Sequence, residues 1–71
     1  MTESQKLRVE GLAREIAHME TEALLAPNGE LGKVYLEGQV DYTRMTKRAK
    51  KQYVEFREIW KKRLAELIEV S

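Results

Sequence analysis

The chain has no cysteine, and only one proline, one phenylalanine, one tryptophan and one histidine. Without cysteine there is no disulfide, no thiolate metal ligand and no thiol redox chemistry. The lone histidine, His18, has no second histidine or cysteine to share a metal with, which makes a poor metal site. Ser4 and Ser71 stand at the two ends of the chain, where neither is held against a base that could activate it. The glycines form no phosphate-cradling pattern; Gly29, Gly32 and Gly38 read as turn and cap residues. These absences remove the common routes to catalysis, so no enzyme activity, metal or cofactor is expected.

Long apolar runs are missing too. No window is apolar and long enough to span a bilayer. The opening Met1-Thr2-Glu3-Ser4 is polar and acidic, unlike a secretory signal or transit peptide. A cytoplasmic location is expected, and a cysteine-free chain fits a reducing compartment.

What the chain does have is charge and helical periodicity. Charged residues make up 35% of it and hydrophobic residues 42%, the second figure high enough to argue against constitutive disorder. Net charge is only +1, so no global field steers the chain to nucleic acid. The charge is uneven, however. Residues 1–37 hold four basic and seven acidic residues, a balance of −3, while residues 38–71 hold nine and five, a balance of +4. Opposite-signed halves can attract one another within the fold or face different partners. With 71 residues there is one domain, residues 1–71, and its core is marginal. A small chain without disulfides or metal needs a very regular helical core, an oligomer or a partner.

The periodicity predicts an all-α fold: two long helices joined by a turn and a short helix, a small three-helix chain. The first helix is expected over residues 3–25. Thr2 and Gln5 have capping-box spacing, and Val9, Leu12, Ile16, Met19 and Ala23 recur at steps of three and four, with Leu24 widening the stripe. Ala26-Pro27-Asn28-Gly29 marks the break. A short helix is expected over residues 30–37, carrying Leu31, Val34 and Tyr35, with Gly38 as its stop. Asp41 then reads as the N-cap of a long helix over residues 42–69. Its apolar positions are Tyr42, Met45, Ala49, Tyr53, Phe56, Trp60, Leu64 and Leu67. At about 1.5 Å per residue that helix is about 40 Å long, more than 71 residues can shield, so part of its face is expected to be open or occupied by a partner.

Two groups of residues on the long helix are candidates for function. Arg44, Lys47, Arg48 and Lys51 share one helical face by their spacing, which suits phosphates or an acidic partner; the plainer reading is a solvated face near the acidic first helix. Tyr53, Phe56 and Trp60 form an aromatic stripe that is core, interface, or both. Tryptophan and tyrosine are common interface anchors.

The middle of the chain resembles the small VbhA-like antitoxins that inhibit Fic-domain toxins. The resemblance rests on Glu22-Ala23-Leu24-Leu25-Ala26-Pro27, on the stretch Val34 to Asp41 with Gly38 within it, and on Tyr53 near the closing tyrosine. It covers about half of the chain. In the family's inhibitory motif a hydroxyl residue precedes the glutamate by four positions. Here that position is His18, and Ala23 stands where the family has Gly or Asn. The resemblance implies that Glu22, flanked by His18, faces an arginine in the toxin's active site, as a bidentate, charge-assisted pair allows. The expected function is therefore a non-enzymatic protein-binding module that inhibits or regulates a protein partner, with a Fic-type AMP-transferase toxin as the specific case. The alternatives are a small regulatory protein that binds nucleic acid or transcription machinery through the basic face, and a structural homodimer. No membrane association is expected.

Overall fold

A computed structural model describes residues 1–26, 31, 35–36 and 39–70. Helix α1 spans Glu3–Leu25 and helix α2 spans Lys47–Val70. Between them lie the two-residue strands β1, Tyr35–Leu36, and β2, Gln39–Val40, and a 3-10 turn over Tyr42–Arg44. The strands pair antiparallel, Tyr35 opposite Val40 and Leu36 opposite Gln39. Among the described residues the chain is therefore predominantly helical, with two long helices. The short helix expected over residues 30–37 is not formed at Tyr35–Leu36, which are extended; Glu30, residues 32–34 and Glu37 lie outside the described residues.

The start of α1 is fixed locally. The Thr2 hydroxyl accepts from the Gln5 backbone N–H at 3.1 Å, and the Gln5 side-chain oxygen accepts from the Thr2 N–H at 2.8 Å. This reciprocal pair satisfies two donors that a helix start leaves open.

The start of α2 differs from expectation, at Lys47 rather than Tyr42. Asp41 does cap a helical turn, but a 3-10 one: its carboxylate accepts from the Thr43 backbone N–H at 3.2 Å and the Thr43 hydroxyl at 2.7 Å. The chain then turns extended at Met45, and Met45 is buried at 5% exposure. Thr46 makes the second start, its hydroxyl accepting from the Ala49 N–H at 3.2 Å. Two good caps five residues apart compete, and burying Met45 separates the turn from the helix.

The helices pack along their lengths. Leu25 shares the core cluster with Leu31, Met45 and Ala49 at one end. At the other, Met1, Lys6 and Val9 line a common hollow with Glu58, Lys62 and Ala65. The helices are thus antiparallel.

On α1 the buried line is Val9, Ala13, Ala17, Thr21 and Leu25, a step of four throughout. Of the expected stripe only Val9 lies on this line. Leu12, Met19 and Leu24 are 39, 57 and 54% exposed, Ala23 is exposed, and Ile16 is half-buried. Side-chain size explains the choice. Ala13, Ala17 and, on α2, Ala49 are fully buried, and such small residues let the backbones approach closely enough for Tyr53 to seal the seam. Tyr53 is 1% exposed. Thr21 is tolerated in this seam because its hydroxyl donates to the Ala17 carbonyl at 2.7 Å.

The molecule measures 39 × 23 × 15 Å. A single helix with side chains is about 10–12 Å across, so the smallest dimension is little more than one helix layer. The accessible surface is 5284 Å², against about 4,600 Å² for a compact monomer of this mass.

Candidate functional site

A slab one layer thick has two broad faces. At 3.6 residues per turn, Leu12, Ile16, Met19 and Ala23 lie about a third of a turn from the line that α2 covers. They follow one another at steps of four, three and four, and form a second apolar stripe on α1, exposed at Leu12, Met19 and Ala23 and half-buried at Ile16. The matching stripe on α2 is Phe56, Trp60, Leu67 and Val70, interrupted by Arg63, at steps of four, three, four and three. Phe56 and Trp60 are half-buried, while Leu67 and Val70 are 65 and 88% exposed.

One contact puts both stripes on the same side of the slab. The Trp60 indole N–H donates to the Glu20 carboxylate. Glu20 follows Ile16 by one turn and precedes Ala23 by three residues, so it borders the open stripe of α1. The face therefore holds Leu12, Ile16 and Met19 from one helix and Phe56, Trp60 and Leu67 from the other, with the exposed Ile59, three residues after Phe56, beside them. Towards its end, a shallow hollow of about 420 Å³ is lined by Trp60, Arg63, Glu66, Leu67 and Val70. The Arg63 guanidinium carbon lies 5.2 Å from the centre of the Trp60 ring, holding the indole at the rim by a cation–π contact.

The opposite face is more covered. His18 lies off the line that α2 covers, yet is only 2% exposed, and β2 packs against α1. Burial pushes the His18 pKa below its ordinary value, and the nearby Glu22 carboxylate offsets this in part. The His18 Nδ1 lies 3.8 Å from Glu22 Oε2.

The candidate residues thus fall in different places. Glu22 is open to solvent, its side chain 64% exposed, whereas the side chain of His18 is 3% exposed. His18 belongs to the interior and Glu22 to the surface, one turn apart. Of the aromatics, Tyr53 is core, Phe56 packs against the core cluster from the side, and Trp60 is half-buried on the open face. Arg44, Lys47, Arg48 and Lys51 are all exposed, but they do not form one helical face. Arg44 sits in the 3-10 turn, 3.6 Å from the Asp41 carboxylate, leaving Lys47, Arg48 and Lys51 on the first turns of α2. No acidic residue occupies that first turn, so these cations crowd the positive end of the helix dipole, an arrangement that costs stability.

Periodicity alone does not separate the open stripe of α1 from the buried one. The signal available was the run of alanines, Ala13, Ala17 and Ala49, whose size suits close helix approach. Among the described residues no cluster of three or more His, Asp or Glu could hold a metal ion. Neither long helix is apolar enough to cross a membrane. No family model, curated protein or solved structure matches this chain.

Proposed function

We propose that the protein is a non-enzymatic protein-binding module that inhibits or regulates a protein partner. The supporting observation is the apolar face itself. Leu12, Met19, Ile59, Leu67 and Val70 are each 39% exposed or more, and the described residues form no second layer over them. Contiguous exposed apolar surface rimmed by charge marks an interaction site. Domains of packed helices ordinarily bury such stripes against another layer.

The specific case follows the resemblance: an inhibitor of a Fic-type AMP-transferase toxin. Glu22 supports it by being exposed in the last turn of α1, where it can meet a basic group in a partner's active site. His18 then acts from within the fold, next to the carboxylate and out of the partner's reach. The test is co-expression with a Fic-domain AMP-transferase, comparing wild type, Glu22→Ala and Glu15→Ala. Release of AMP transfer by Glu22→Ala alone is expected, and equal behaviour of the two variants would remove Glu22 from the role.

A second reading has its own observation. Lys47, Arg48 and Lys51 at the start of α2 suit an anionic partner, nucleic acid included. Tight duplex binding at physiological salt, lost on replacing these three residues, would place this reading first.

A further inference from the structure

We propose that the open face is closed by a second copy of this chain, giving an antiparallel four-helix bundle in which α1 of each copy lies against α2 of the other. This inference rests on the protein-binding reading above and names the occupant of the open face.

Area supports it first. The broad face of the 39 × 23 Å slab projects to roughly 900 Å², and a stable protein–protein interface buries about 800 Å² per partner. A second slab is thus the right size to cover the face, and it adds a layer that the described residues of one copy do not form. The spacing agrees: the steps of three and four along both stripes are those of bundle and coiled-coil seams.

Charge then selects the symmetry. Helix α1 carries three basic and five acidic residues, a balance of −2, while α2 carries eight and four, a balance of +4. Two faces can meet about a two-fold axis along the helices or about one across them. The axis across the helices sets α1 on α1 and α2 on α2, like charge on like. The axis along the helices sets each α1 on the other copy's α2, antiparallel and opposite in sign, as every neighbour in an up-down bundle is. It also preserves the level of each residue along the slab. Leu12 of one copy then meets the region of Ile59 in the other, and both are exposed in the single chain, at 39 and 45%.

The test uses the full chain in sedimentation equilibrium. The expected species at micromolar concentration has twice the 8.3 kDa of the chain. Met19→Glu, on the open face, is expected to give the single-chain mass with unchanged helical circular dichroism, because Met19 is 57% exposed within one chain. Leu7→Glu is the control, since Leu7 is 62% exposed but lies on the opposite side of α1. A wild type that stays at single-chain mass, or a Leu7→Glu that dissociates while Met19→Glu does not, overturns the proposal. The failure of the dimer remains distinct from failure of the protein-binding reading, which is judged by the toxin co-expression. Because the chain has no native cysteine, cross-linking reports the symmetry directly. Leu12→Cys mixed with Ile59→Cys is expected to give the mixed disulfide. Efficient Leu12→Cys homodisulfide with no mixed product overturns the arrangement.

Discussion

Trp60 donates its indole N–H to the carboxylate of Glu20, a contact that joins α2 to α1 across forty residues of sequence. Both residues are half-buried, so the bond is partly shielded and carries a charge on its acceptor. Hydrogen bonds to charged groups contribute about 1.5–3 kcal/mol when well shielded, and less where water competes. Trp60→Phe and Glu20→Ala should each lower stability by about 1 kcal/mol, and a double-mutant cycle should return a coupling of about 0.5–1.5 kcal/mol. Additive effects in urea unfolding would mean that the pair is not coupled.

The alanine seam makes a contrast that size alone would not suggest. Ala17 and Ala49 are fully buried and Met19 is 57% exposed. Ala49→Leu should cost about 1–3 kcal/mol by overpacking. Met19→Ala should change the stability of the dissociated chain by no more than about 0.5 kcal/mol. If Met19→Ala proves the more costly in dilute solution, the buried line on α1 has been assigned to the wrong side.

How far the sequence carried this fold is clear at particular residues. Thr2 and Gln5 announced the start of α1, because a capping box is local chemistry. Ala49 and Tyr53 on α2 fell on the expected stripe. Which side of α1 meets α2 was not legible. Leu12-Ile16-Met19 and Val9-Ala13-Ala17 are both helical stripes, and periodicity favours the larger side chains although close approach favours the smaller. Asp41 and Thr46 are likewise both competent caps, and only the burial of Met45 decides between them. Glu22 was legible as a candidate, whereas the burial of His18 depends on packing outside its own helix.

His18 gives the molecule a pH dependence. It is buried, and its pKa is lowered from the ordinary 6.5, chiefly by desolvation. The unfolded chain therefore takes up a proton at a higher pH than the folded one. Its contribution to stability is fully present above about pH 6.5 and is lost as the pH falls towards the folded value. The melting midpoint should fall between about pH 7.5 and about pH 5, and His18→Gln should flatten that slope. A steeper loss in His18→Gln than in wild type would contradict the burial argument.

Gly11 lies in the interior of α1, and an added Cβ there meets nothing within 4 Å. Gly11→Ala should therefore stabilise the protein by about 1 kcal/mol through helix propensity alone, which in a chain this small raises the melting midpoint by several degrees. Thr46→Ala should do the opposite by about 1 kcal/mol, because it removes the acceptor for the Ala49 N–H. Circular dichroism melts of the two variants check both signs.

If one broad face of this helix pair is closed by a second copy, thermal unfolding must depend on chain concentration. A partner that binds only the folded state raises the midpoint by mass action. For the wild type the midpoint should climb with concentration, and for Met19→Glu it should stay flat while Leu7→Glu follows the wild type. A wild-type midpoint that is sharp and independent of concentration, matched by Met19→Glu, would contradict the closing of that face by a second copy.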